Sequence, residues 1–174
     1  MRIHKKLQDN GWPDVSVAVN ISEIQLSRDD FLTDLKNAID NNSILPENLI
    51  LEIAESGFAD NLEVINNQLT KAQILGIRFA IDDFGTGYSS LAKEHEIAAD
   101  IIKIDKFFID QLLVKDEKEL ITSDIINLAH KMGQKTVAEC VEHPRQLEYL
   151  KRNNCDYYQG FLFSKPVKAK KAIK

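Results

Sequence analysis

The sequence predicts an α/β fold built on parallel strands, and three observations carry the prediction. Six short, β-branched apolar runs alternate with stretches at helical spacing. The runs are apolar on both faces, as the strands of a helix-covered parallel sheet are. Acidic, amide and lysine residues recur near the C-terminal ends of those runs. Parallel neighbours require long crossovers, which the intervening helical stretches supply. An open doubly wound sheet and a barrel both satisfy these constraints. A barrel draws its functional side chains from the C-terminal ends of many strands, and that is the distribution here.

Taken in order, the first strand is expected over 15–22, Val-Ser-Val-Ala-Val-Asn-Ile-Ser. A helix over about 28–41 follows, with Phe31, Leu32, Leu35 and Ile39 on one face. The turn signal Pro46-Glu-Asn48 leads into the strand 49–54, and a helix over about 61–75 is stopped by Gly76. The strand 77–81 runs into Asp82-Asp-Phe-Gly-Thr-Gly-Tyr88, and 100–104 is the next. A long helix is predicted over about 117–132, ending at Gly133; then come the strand 135–141, a helix over 145–152 and a final strand over 157–163. Trp12, beside Pro13, is expected to pack the first segment as an apolar anchor.

The 174 residues suit one domain. A hydrophobic share of 44% with 28% charged residues supports a packed core and argues against disorder. The 22 basic and 27 acidic residues give 22 − 27 = −5, which lacks the basic footprint of a protein gripping long nucleic acid. The lysine-rich end, with Lys168, Lys170, Lys171 and Lys174, reads as a solvated tail. No signal-peptide pattern and no apolar run of roughly 18 residues is visible, so a cytoplasmic domain is expected, with any membrane anchor supplied by other segments of a parent protein. Two cysteines, Cys140 and Cys155, with no CxxC, disfavour a disulfide scaffold or structural zinc.

The polar strand ends carry the chemistry. They are Asn20, Glu52, Asp82 with Asp83, Lys103, Glu139 and Gln159. A charge in an otherwise apolar strand needs a partner, because burying it alone costs several kcal/mol. Any one of them taken alone could be a satisfied core ion pair; six at the same ends point to a shared site. The donors are hard oxygens, which favour Mg²⁺ or Mn²⁺ over zinc. Successive residues on a strand face opposite ways, so Asp82 and Asp83 serve one cluster only if the chain turns there. Two ions and a lysine suit metal-assisted phosphodiester hydrolysis. Gly85-Thr-Gly87 lacks the third glycine of a dinucleotide fingerprint, and neither a GK[ST] loop nor a GxSxG elbow occurs. The four histidines, His4, His95, His130 and His143, fall away from the strand ends and read as surface or structurally satisfied residues.

From about Val15 to Pro166 these segments resemble the EAL-domain family of bacterial cyclic di-GMP phosphodiesterases. Asn20-Ile-Ser22 resembles its N-x-S strand and Glu52-Ile-Ala-Glu-Ser56 its E-x-T-E-S segment. Asp82-Asp-Phe-Gly-Thr-Gly-Tyr-Ser-Ser-Leu91 matches its DDFGTGYSSL loop at every position, and Lys103-Ile-Asp105 matches K-I-D. Ala138-Glu-Cys-Val-Glu142 resembles A-E-G-V-E, and Gln159-Gly160 with Phe163-Ser-Lys-Pro166 resembles the closing Q-G-x-x-F-x-x-P. The resemblance implies a TIM-like (β/α) barrel that opens one phosphodiester of cyclic di-GMP to linear pGpG with two Mg²⁺ or Mn²⁺ ions. It implies that Asn20, Glu52, Asp82, Asp83 and Glu139 are metal ligands or organisers of metal-bound water, with Lys103 assisting the attacking water. It places Glu142 and Gln159 at the ligand and Glu55 as a brace for the DDFGTG loop. It also implies a homodimer, and an upstream sensor or GGDEF domain in the parent protein.

Three departures bear on these expectations. Ala54 stands where the family has Thr, removing a hydroxyl. Cys140 stands where it has Gly, a tolerable change if the backbone there is ordinary strand. The E-A-L segment itself, whose glutamate is a metal ligand, would lie upstream of the N-x-S strand. Six strands in 174 residues, against about 250 residues for a complete barrel, read as one N-terminally truncated EAL-type domain over 1–174 that lacks two strand–helix units. Such a chain is expected to expose edge strands and to hydrolyse its substrate poorly. The alternative is a catalytically inactive module that binds cyclic di-GMP or another protein; a different metal-dependent barrel hydrolase is a third reading.

Overall fold

The computed structural model describes residues 6–7, 10–12, 14–58, 62–85, 97–168 and 171. They fall into two compact units, one over Met1–Ile53, Gly57–Phe79 and Pro166–Lys174, the other over Ala54–Ser56 and Ala80–Lys165.

In the first unit, strand β1 (Val17–Asn20) pairs in parallel with β2 (Leu49–Ala54), Val17 opposite Leu49 and Asn20 opposite Glu52. The connection is helical, as a parallel crossover requires. A short helix α1 (Glu23–Leu26) opens with a capping box: Ser22 Oγ accepts from Gln25 N, and Gln25 Oε1 accepts from Ser22 N at 3.1 Å. Helix α2 (Phe31–Asn42) buries Phe31, Leu35 and Ile39 at the expected spacing and closes on Ser43 in the left-handed region. Strand β2 buries Leu49, Leu51 and Ile53 in alternation. Helix α3 (Leu62–Ile74) buries Ile65, Leu69 and Ala72, and Gly76, at φ +92°, ends it. The expectation that every strand is buried on both faces fails at β1, where Ala18, Val19 and Asn20 are exposed. Trp12 is 61% exposed, so it does not anchor the first segment; its backbone N–H bonds Leu7 O while the indole faces solvent.

The second unit contains most of β3 (Arg78–Phe84), then β4 (Ile101–Ile104), β5 (Lys135–Ala138) and β6 (Tyr157–Tyr158), each parallel to the next. All four residues of β4 are buried, as suits a strand covered on both faces. A helix not predicted from the sequence, α4 (Lys106–Gln111), follows β4 at once and is capped by Asp105, whose Oδ1 accepts from Phe107 N at 2.8 Å. The long helix expected over 117–132 is a 3₁₀ turn at Glu117–Glu119 and a separate α5 (Thr122–Lys131), because Leu120 between them is extended and buried. Helix α6 (Pro144–Arg152) begins with proline at its first position, where the missing N–H costs nothing. The last strand is only two residues long, and Phe161–Phe163 belong to a turn.

Candidate active site

Strand β3 brings two consecutive carboxylates to one place by breaking its own alternation. Its register against β4 shifts between Ile81 and Phe84, and Asp83 lies in the left-handed region at φ +56°. The extra residue of such a bulge re-aims the side chain that follows it. As a result, ligand oxygens of Asp82, Asp83 and Glu139 lie within 4.8 Å of one another. Asp83 N also donates to Asp82 Oδ1 at 3.1 Å, which fixes the first carboxylate against the turn.

Lys103, from β4, is the cation at the centre of this group. It is 5% exposed, and its Nζ lies 2.8 Å from Asp82 Oδ1 and 2.9 Å from Glu139 Oε1. A buried ammonium is tolerated only when paired in this way. Three carboxylates around one lysine nonetheless leave the cluster anionic. Burial first, then the charges of Asp82 and Asp105, raise the Asp83 carboxyl above its ordinary pKa, with Lys103 opposing and Glu55 adding. A hard divalent cation would relieve that excess, and the all-oxygen donor set fits one.

Glu139 follows β5 and extends its ladder, with Glu139 N donating to Ile104 O at 3.1 Å. The next residue is in the left-handed region, with Cys140 at φ +52°. The backbone there is therefore not ordinary strand, and the exchange of Gly for Cys is not neutral: an L side chain is strained where glycine is not. Burial and the neighbouring Glu139 push the Cys140 thiol pKa up, which keeps it a poor nucleophile. Beyond this turn Val141 N donates to Gln159 O at 2.9 Å, and Gln159 N donates to Ala138 O at 2.8 Å. Gly160 lies so close to the backbone of Val141 that a Cβ would overlap it. Gln159 and Glu142 are both exposed at this end of β5 and β6.

Glu55 enters from the turn after β2. It is 2% exposed, and its Oε2 accepts from Gly85 N at 2.7 Å. Gly85 has φ +86°, and a Cβ there would meet the Phe108 ring at 2.8 Å, so the position demands glycine twice over. The rest of the DDFGTGYSSL match, from Thr86 to Leu91, lies outside the described residues, as do His4 and His95.

The nine residues singled out in the sequence thus form two groups within their own units. Asp82, Asp83, Lys103, Glu139 and Glu55, with Glu142 and Gln159 along the adjoining turn, belong to the second. Asn20 and Glu52 are register partners in the first, where Ile21 N donates to Glu52 O at 2.9 Å. Of the histidines, His130 Nε2 lies 2.8 Å from Asp156 Oδ2, a structural contact. The motif reading assigns nothing to Asp105, although an Asp just before Lys-Phe-Phe-Ile is a cap signal. It also passes over Gln146, whose spacing of three from His143 at a proline-started helix marks a cap.

Comparison with known proteins decides the family. The EAL-domain family model matches residues 1–166, beginning earlier than the motifs from Val15 onward. The chain belongs to the EAL-domain family. An EAL-containing relative, the bifunctional diguanylate cyclase/cyclic di-GMP phosphodiesterase MucR of Pseudomonas aeruginosa, is 36% identical over 95% of this chain and 24% of its own length. The solved EAL domain of Mycobacterium smegmatis DcpA is 32% identical, with a TM-score of 0.93, over 99% of this chain and 78% of that one. A manganese and cyclic di-GMP complex of Klebsiella pneumoniae BlrP1 is 25% identical, with a TM-score of 0.85, over 95% of this chain and 42% of that one. The EAL likeness places the fold in the TIM-like α/β barrel class, of which the described residues carry six strands. It spans about a fifth to a quarter of the length of the curated relatives it matches. No helix among the described residues is long and apolar enough to cross a membrane.

Proposed function

We propose that this chain supplies the catalytic part of a cyclic di-GMP phosphodiesterase, hydrolysing one phosphodiester of the cyclic dinucleotide to give linear pGpG. The observation that carries the reading is Lys103, buried between Asp82 and Glu139 beside Asp83. An ammonium held among three carboxylates, all within reach of one another, is the arrangement a hydrolytic phosphoryl site needs and a structural ion pair does not. The naming of MucR as such a phosphodiesterase, and the cyclic di-GMP and manganese in the BlrP1 complex, support the same substrate and a divalent cofactor.

Asp82, Asp83 and Glu139 would hold a divalent cation, Mg²⁺ or Mn²⁺. Bound there, such an ion lowers the pKa of water and neutralises charge on the phosphoryl oxygens. Lys103 orients the attacking water through its fixed position between Asp82 and Glu139, and its charge offsets that developing on the phosphorus oxygens. Water adds to phosphorus as the bond to the ribose 3′ oxygen breaks; that oxygen takes a proton, and the phosphate stays on the 5′ side, as pGpG requires. Glu55 holds the start of the DDFGTG loop through Gly85, and Gln159 and Glu142 face the ligand from the β5–β6 end.

The test is cyclic di-GMP hydrolysis followed by chromatography, with Mn²⁺ or Mg²⁺ and with chelator, beside calorimetric titration of the nucleotide. Metal-dependent formation of pGpG, abolished by Asp82→Asn, is the expected result. Binding without turnover would favour the receptor alternative, and neither binding nor turnover would overturn the reading.

A further inference from the structure

We propose that Gln146 is a positioning residue that sets the place of Glu139 relative to Lys103, an inference that rests on the phosphodiesterase reading for its catalytic consequence. Gln146 is 1% exposed, in the first turn of α6. Its Oε1 accepts from Glu142 N at 2.8 Å and from His143 N at 2.9 Å, and its Nε2 donates to Ile109 O at 3.0 Å. One side-chain amide therefore joins two segments that each lead to the carboxylate–lysine cluster. The first is the turn Glu139–Glu142, which leaves β5 with Cys140 in the left-handed region. The second is α4, whose Asp105 cap lies two residues beyond Lys103 and whose buried Ile109 offers the carbonyl.

A helix cap alone explains only half of these contacts. The two bonds to Oε1 satisfy N–H groups at the α6 entrance, as a capping box does. The Nε2 bond to Ile109 O lies outside any cap and uses the donor that distinguishes glutamine from glutamate. Both ends are buried, so no water replaces a lost partner at low cost. The turn that presents Glu139 is thus tied to the helix that follows Lys103, and a shift of that tie moves one partner of the 2.9 Å Lys103–Glu139 contact against the other.

Gln146→Glu separates the two roles. When ionised it keeps both acceptor bonds of the cap and loses the donor to Ile109 O. When protonated it regains an O–H donor. The experiment compares wild type and Q146E by amide hydrogen exchange at Glu139 and Val141, with Ala129 in α5 as an internal control, and by steady-state cyclic di-GMP hydrolysis, each across pH. In mildly alkaline solution Q146E should lose about tenfold or more of the protection at Glu139 and Val141 while Ala129 is unchanged. Its kcat should fall about tenfold, with KM within about twofold of wild type. Both defects should shrink on acidification. Unchanged protection at Glu139 and Val141 overturns the proposal, as does an unchanged kcat in Q146E when the wild type is active, or a loss of protection that includes Ala129. A wild type that turns nothing over overturns the phosphodiesterase reading alone, and the exchange measurement still decides the role of Gln146.

Discussion

Glu55 Oε2 and Gly85 N are 2.7 Å apart, so a buried carboxylate holds the amide that opens the loop after β3. Replacing it with alanine removes the charged acceptor of that N–H and leaves a gap where the buried carboxylate sat. Glu55→Ala should destabilise the protein by about 1.5–3 kcal/mol, and Glu55→Gln, which keeps an acceptor oxygen, by clearly less. Urea unfolding of the two variants checks the order; equal losses would show that the contact to Gly85 is not what Glu55 provides.

Lys103→Met keeps the length and apolar stem of the side chain and removes the charge between Asp82 and Glu139. Turnover of cyclic di-GMP should fall about 10²–10³-fold, the loss typical of removing one charge-stabilising group. Mn²⁺ should still bind, because every carboxylate remains. Rates of pGpG formation, set beside calorimetric Mn²⁺ titrations, test this, and a variant that has lost its metal would contradict the role given to the lysine.

The cluster of Asp82, Asp83 and Glu139 would give the folded chain a cation site that an unfolded chain does not have. Mn²⁺ at about 100 times its dissociation constant should therefore stabilise the fold by about 2.7 kcal/mol. Thermal melts with Mn²⁺ and with chelator measure the difference. In Asp82→Asn the shift should shrink or vanish.

Cys140 occupies a left-handed backbone position at φ +52°. Glycine relieves the Cβ clash there but raises the conformational entropy of the unfolded chain, which offsets part of the gain. Cys140→Gly should be stabilising by about 0.5–1 kcal/mol, or about 1–4 °C in Tm for a chain of this size. Differential scanning calorimetry decides the sign.

Asp156 should contribute to stability in acid. Burial opposes its ionisation, but Lys135 Nζ at 2.7 Å, His130 Nε2 at 2.8 Å and Thr136 N at 2.9 Å outweigh that cost and hold its carboxyl well below the usual range. A carboxyl with a depressed folded-state pKa contributes stability above its unfolded value, about 3.9, and loses it as pH falls further. Unfolding free energy should therefore drop below about pH 4 in the wild type. Asp156→Asn should be less stable at neutral pH and flatter across that acid window, as denaturant titrations at several pH values will show.

How far the sequence reveals the fold depends on whether a feature is periodic. Strand β2 is read at its observed limits, because Leu49, Leu51 and Ile53 alternate and Pro46 marks the turn before it. Helix α4 escapes notice because six residues are too few to display a period, and its only signal is the Asp105 cap. The split before α5 is hidden because Leu120 sits at a helix-like spacing yet is buried from an extended backbone. The final strand is overextended because Phe161 and Phe163 look like strand residues, although both are more than half exposed in a turn. At the site, residue types and order are legible from the strand ends. Conformation is not: nothing in the letters Asp-Asp or Glu-Cys announces a positive φ at the second residue, since sterics alone argue against it.

The kink in β3 has a consequence for engineering and for natural variation. Because Asp83 reaches its neighbours through one surplus residue in the ladder, and only Asp82 and Asp83 stand between Ile81 and Phe84, deleting a single codon there would remove one carboxylate of the cluster together with the bulge, and inserting one would turn what lies beyond it to the opposite face. Length in that stretch is thus under tighter constraint than side-chain identity in the surrounding core, and insertion–deletion scanning should find intolerance there before it finds it at Ile81 or Ile102.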